Sequence, residues 1–480
     1  MGQALLQYLR GFDPTAQPPS IRRAYRRELV AACSFPVPLA MIEGAVVSVI
    51  AALLFEARPI ELATILAAPM FANLTSGFWA RLSRGRRKAP MLALIQCGVL
   101  ATLGGIALLP TGRDGALWLV GLVVLARCLV AGSLTVQTTI WRANYPRAMR
   151  SRVTGRLMLI NTVVFATAPV LAAVWLDRFL PSAPWLFRGV YVGAALVGII
   201  AVASIAGLRV RRERSLIKGE ITGYEPGTTT GISTPEEPSV TASTTDHDGS
   251  MLAILRRDRL FRNYMVAQFL AGLANMAGNT AMIVFIVALV ETLPADGWIG
   301  PYFAGILLTS AVVQALVALS IPFWASYLDK VHVARFRTRH GLLWIATQSA
   351  QFILAILTLP TTVLLALALI PRMMQGLVFG GGKLAWQLGH HDFAGRNHAA
   401  SYMGVHQTLT GVRGLVAPYL GVLLFTGWDR ADWGGLTLPG FNGIGPWCFA
   451  ITTALAVLAW LGFVRLAREI DARGGPGVED

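Results

Sequence analysis

About twelve apolar stretches, each roughly twenty residues long, recur along this chain with only short turns between them. A helix of that length crosses a hydrocarbon core ~30 Å thick. Lipid offers no hydrogen-bond partners, so each span must satisfy its own backbone, and helices are the form expected. With 55% of its residues hydrophobic and 14% charged, a soluble domain would lack the polar surface to cover itself. The expected fold class is all-α and polytopic, with spans at 29–55, 60–80, 89–109, 116–140, 153–175, 184–208, 263–290, 299–327, 340–359, 361–386, 399–426 and 444–466.

The net charge of +16 could suggest nucleic acid, but its distribution argues otherwise. Of the 41 Lys and Arg, five (Arg58, Arg113, Arg178, Arg188 and Arg430) fall on one side of the alternating turns. Three lie deep in spans, and the rest fall on the other side together with both termini. This positive-inside pattern places both termini in the cytoplasm and the chain in the inner (cytoplasmic) membrane. An anionic leaflet accounts for the basic face without nucleic acid. Trp79, Trp141, Trp175, Trp185, Trp298, Trp386, Trp428 and Trp447 stand near expected span ends, where amphipathic rings settle. Cys33, Cys97, Cys128 and Cys448 are isolated in apolar spans, without zinc or disulfide spacing. Residues 1–28 hold no apolar core of signal-peptide length, so the first span is expected to be retained.

The rhythm breaks once, over 209–258. That stretch is basic at both ends and rich in Gly, Thr, Ser and Pro between them, as a flexible cytoplasmic linker would be. The expected organisation is a cytoplasmic segment 1–28, a six-helix bundle 29–208, the linker 209–258, a second bundle 259–466 and a tail 467–480. The halves look related. Aligning Trp141 with Trp386 places Arg127 over Arg372, and the same offset places Trp79 over Trp324, so that GFWARL falls on PFWASYL. Arg-rich RRAYRREL and RRDRLFRNY precede the first span of each half. Six-helix repeats of one orientation joined by a long linker are a transporter architecture, with substrate sites near the midplane.

At this point the chain resembles the major facilitator superfamily over nearly its whole length in topology. That family's turn between its second and third helices reads G-x-x-x-D-R-x-G-R-R/K. The stretch from Gly77 through Gly85, Arg86, Arg87 and Lys88 keeps the glycines and the basic run. It is one residue longer, and Arg81 or Leu82 stands where the acid belongs. The corresponding second-half turn keeps an acid in Asp329-Lys330. The glycine-rich antiporter motif of the fifth helix is not evident. The resemblance implies twelve helices in two repeats, alternating access, gating at these two turns, and a central cavity lined by the first and fourth helices of each half.

Four ionisable residues fall deep within spans: Glu43, Arg127, Arg372 and Arg413. A buried charge costs at least ~2.5–3.5 kcal/mol on insertion scales and usually faces a bundle interior. Glu43 lies ~20 Å into the first span at 1.5 Å per residue. Arg127 reaches an overlapping depth from the opposite direction, so the two are expected to pair. Glu43 is then a candidate for proton coupling, or one half of a static ion pair. Three arginines against one acid leave excess positive charge, which an anionic or polar substrate would offset. The alternative is that Arg372 and Arg413 bond helix carbonyls. Asn275 and Asn279 share one helix face. With Gln375 they are candidates for substrate contact, or for helix-to-helix bonding.

The expected function is secondary active transport of a small solute by rocking two halves, coupled to a proton or another ion. Two versions compete: uptake of an anionic metabolite, which the excess arginine favours, and proton-driven efflux of a drug-like compound. A non-transporting receptor or scaffold on the same fold is the alternative from another class. No HExxH, GxSxG or P-loop signature occurs, so no enzyme, cofactor or metal is expected. The partners expected are the solute, the coupling ion and the bilayer, with the protein a monomer.

Overall fold

A computed structural model describes residues 12–222, 251–294, 299–390, 392–393, 399–429, 431–433 and 436–473. The centre of the expected linker, the end of the tail, Trp298 and Arg430 lie outside the described residues.

The first span is not one helix but three: α1 (Pro19–Ser34), α2 (Pro36–Met41) and α3 (Gly44–Phe55). Pro36 and Pro38 withhold amide donors within a few residues of each other. The backbone then turns extended at Glu43 (φ −66°, ψ 129°) before α3 begins. The two parts meet at a 41° bend. The second span is also bent by 41°, between α4 (Pro59–Leu74) and α5 (Ser76–Ser83). The first half continues through α6 (Lys88–Ala107), α7 (Arg113–Asn144), α8 (Arg147–Phe179) and α9 (Phe187–Ala206).

The segment expected to be a flexible linker opens and closes in helices, α10 (Glu213–Thr222) and α11 (Met251–Arg257). The second half begins with α12 (Arg259–Val290), unbroken over 32 residues. The eighth span is α13 (Pro301–Ile306), one π turn (Leu307–Ala311) and α14 (Val312–Leu328). Then come α15 (Val333–Ile356), α16 (Thr361–Leu388), α17 (Ala399–Thr426) and α18 (Trp447–Ala472), with a small hairpin of β1 (Ala431–Trp433) and β2 (Leu436–Leu438) between the last two.

Among the described residues nine helices are long and apolar enough to cross a membrane, or eleven with each bent pair taken as one span. The helix in the ninth position, α15, falls short because of its polar stripe. Arg337, His340, Thr347, Gln348 and Gln351 are all buried, at helical spacing, against its neighbours.

Both α1 and α18 have their chain-terminal ends on the same side of the bundle, called here the terminal side. In the first half α9 packs on α6 and α1, and α7 on α4 and α6; in the second, α12 packs on α17 and α18, and α14 on α16. The offset seen in the sequence reappears as packing: Trp79 lies against Gly132, and the Trp324 indole N–H donates at 2.7 Å to the carbonyl of Leu377, the repeat equivalent of Gly132. The halves meet mainly through α4 with α17, α8 with α13 and α3 with α13. These contacts lie toward the far side. Tyr419 Oη lies 3.1 Å from Thr64 Oγ1. The Asp177 carboxylate accepts from the Tyr302 and Phe303 amides at 2.9 and 2.7 Å, capping α13 from the other half. On the terminal side α1 and α5 pack within their own half.

Candidate functional site

The break in the first span sets Glu43 at the start of α3, where a helix N-terminus favours negative charge. Arg127 projects from the middle of α7, and its Nη2 donates to Glu43 Oε2. Their side chains retain 25% and 12% exposure, so the pair is neither sealed nor free in solvent. Arg127 Nε has no protein partner, which leaves one donor unused beside the acid. From the second half, Lys383 on α16 lies close enough for its charge to interact with that of Glu43. Glu43 is thus bonded to a cation of its own half and lies within electrostatic range of one from the other.

Arg372 occupies the repeat-equivalent place in α16 but is 1% exposed. Its Nε donates to the Leu308 carbonyl at 2.7 Å and its Nη2 to the Thr309 carbonyl at 2.6 Å. Both acceptors lie in the π turn, where the shifted ladder leaves carbonyls available to a side chain. Nη1 donates to Asn279 Oδ1 at 3.0 Å and to Gln375 Oε1. Gln375 Nε2 also donates to Asn279 Oδ1, at 2.7 Å. Arg372, Asn279 and Gln375 are therefore brought together, but the guanidinium is occupied by dipoles of its own half. Thr309 carries the contact onward: its hydroxyl lies 3.3 Å from the Ala45 carbonyl, two residues beyond Glu43.

The other candidates lie apart. Arg413 on α17 donates to the Gln268 carbonyl at 2.9 Å and lies flat against Gly272 of α12, where any side chain would collide. Asn275 faces a different group, beside Arg337 and His340 between α12, α15 and α18. A larger apolar recess of about 520 Å³ between α13 and α16 has no ionisable side chain in its lining and lies away from Glu43.

At the first terminal-side turn Gly85 has φ +70°, a conformation that favours glycine. Its amide donates to Glu220 Oε2 at 2.9 Å. Lys88 Nζ, 1% exposed, reaches the same oxygen at 2.7 Å. The Lys88 amide donates to Glu213 Oε1 at 3.1 Å, and Arg87 Nε lies 3.5 Å from the other Glu213 oxygen. Helix α10 thus supplies the carboxylates that the turn lacks. The second-half turn is built differently: Asp329 and Lys330 are exposed. The first amide of α15, Val333, takes its carboxylate from Asp392, at 2.6 Å. Lys88 and Val333 are repeat equivalents, each capped by an acid from elsewhere in the chain. Gly77 sits in α5 with open space around it, and Arg86 is exposed.

Sequence reasoning missed Lys383, Glu213, Glu220 and Asp177. Lys383 was hidden by its place beside the Gly380–Gly382 run, which reads as a packing feature. The two glutamates fell in a segment read as tether, although SLIKGEI has the apolar spacing of a short helix.

No curated protein matches the chain by sequence. Solved structures do resemble it in fold. A variant of the nucleoside transporter NupG aligns with a TM-score of 0.65 at 14% identity, over 92% of this chain and 99% of that one. A POT family transporter in complex with 5-aminolevulinic acid aligns at 0.60 and 11% identity, over 93% and 96%. A D-xylose-proton symporter aligns at 0.57 and 13% identity, over 92% and 97%. The sequence itself matches the profile of the Major Facilitator Superfamily over residues 37–418. This chain belongs to that superfamily: it is an integral membrane protein of the transporter class and not an enzyme.

Proposed function

We propose that the protein is a proton-coupled secondary transporter of the cytoplasmic membrane that carries a small anionic or polar solute by alternating access. The bundles 29–208 and 259–466 move as units, joined by 209–258, with both termini cytoplasmic. The observation that carries this reading is the Glu43–Arg127 pair at a helix break, with Lys383 of the other half within electrostatic range. One acid against two cations leaves net positive charge, which suits an anionic group on the solute. A solute carboxylate or phosphate meeting Arg127 draws it from Glu43. An unpaired carboxylate in a closing, drying site is then costly enough to take up a proton. The relatives named above bind or carry polar solutes, a nucleoside, 5-aminolevulinic acid and D-xylose, and one couples to protons. The terminal-side gate rests on α10, whose two glutamates hold the Gly85–Lys88 turn, while Asp177 closes the far side.

The test is a thermal-shift panel of organic carboxylates, phosphates, sugars and amines on the purified protein. Stabilisation by one anionic class, lost in Arg127→Ala and in Lys383→Ala, supports the reading. Stabilisation by cationic compounds alone contradicts it, and stabilisation by neutral compounds alone contradicts an anionic solute.

A further inference from the structure

The second half contains a buried arginine, Arg337, that the transport site does not use. Arg337 lies one turn into α15 and is 4% exposed. Its Nη1 is 3.4 Å from His340 Nδ1, and its guanidinium carbon is 6.0 Å from the Phe463 ring centre. Its Nε and Nη2 make no hydrogen bond of normal geometry, and the Tyr264 hydroxyl lies close enough to interact with it. Among the described residues no carboxylate pairs with it. Arg413 is a second buried cation within electrostatic range of Arg337. Arg337 lines a narrow recess of about 20 Å³ between α12, α15 and α18, with Asn275, His340, Trp344 and Trp460. Asn275 Oδ1 is also unpartnered. Half a turn of that amide brings its two N–H donors to bear instead.

An uncompensated buried cation is strongly destabilising. Alanine and aromatic walls offer it no counter-charge. A space of this size holds a water or a monatomic ion. A water would satisfy the donors but not the charge.

We propose that this space is a binding site for a monatomic anion, chloride in the cell, held by Arg337 and Asn275. The ion neutralises the core of the second half and fixes α15 against α12 and α18. It is distinct from the Glu43 site and is not transported.

The test compares thermal unfolding of the purified full chain in sodium chloride, sodium bromide and sodium gluconate at equal ionic strength. Chloride and bromide should raise Tm by about 2 °C or more over gluconate, as binding to the folded state requires. Arg337→Gln should lose that response. Arg335→Gln, an exposed neighbour paired with Asp471, should keep it. Glu43→Gln should keep it too, which separates failure of this site from failure of the transport reading. Equal stability in the three salts, or a halide response retained in Arg337→Gln, overturns the proposal. Should Arg337→Gln not fold, a bromide-grown crystal of the wild type decides: anomalous density beside Arg337 supports the site, and a space without it overturns it.

Discussion

Arg127 and Arg372 occupy equivalent places in the two repeats and do different work. Arg127 is paired with one acid across a helix break, keeps a spare donor, and is partly open to solvent. Arg372 is sealed, and its bonds go to two carbonyls, an asparagine and a glutamine of its own half. An ion pair can be exchanged for another ion pair, whereas a guanidinium woven into a π turn cannot leave without orphaning several acceptors. On the proposed reading the movable chemistry lies in the first half and a rigid backstop in the second. The Thr309 hydroxyl, against the Ala45 carbonyl, joins the two.

The sharpest way to break this comparison is to remove each arginine. Arg372→Ala should cost ~3–5 kcal/mol of stability, because it strands buried polar groups. Thermal unfolding should show a large fall in Tm. Arg127→Ala should fall well short of that loss yet abolish transport in liposomes, with partial recovery on adding Glu43→Gln. Comparable instability in both variants would erase the distinction.

The closures at the two ends come next. Asp177→Ala removes a carboxylate from two amides at a helix start, at a cost of ~1–2 kcal/mol. It should raise far-side reactivity of a cysteine placed at Thr64; unchanged reactivity would remove Asp177 from the closure. Glu220→Gln leaves the buried Lys88 without its charge partner. It should lower transport several-fold while solute binding persists, and a parallel loss of binding would count against a gating role. The smallest effect belongs to Arg87→Ala. That side chain is 74% exposed in its ion pair, and such pairs contribute ~0–1 kcal/mol.

Much of this was legible in the sequence for physical reasons. Span length is set by the bilayer, so a chain of repeated membrane-crossing helices can be read by counting. Depth follows from helical rise, which is why Glu43 and Arg127 could be matched before their contact was seen. Other features depend on backbone geometry that the residue pattern does not announce. The break at Glu43 needs two prolines and the extended residue to act together. The fate of Arg372 depends on a π turn in another helix, for which LLTSA carries no local signal. Helix α15 shows the limit of hydropathy: its buried glutamines and Arg337 make a packed helix look too polar to span. The acids of α10 were discounted because the Thr- and Pro-rich sequence beyond them set the reading of the whole segment.

The most direct measurement pairs two assays on Glu43→Gln in proteoliposomes, using the solute found by the thermal-shift panel. If Glu43 carries the coupling proton, the variant should lose accumulation driven by a pH gradient while still exchanging labelled for unlabelled solute. Accumulation at the wild-type rate would show that the proton travels elsewhere, and the division of labour between the halves would fall with it.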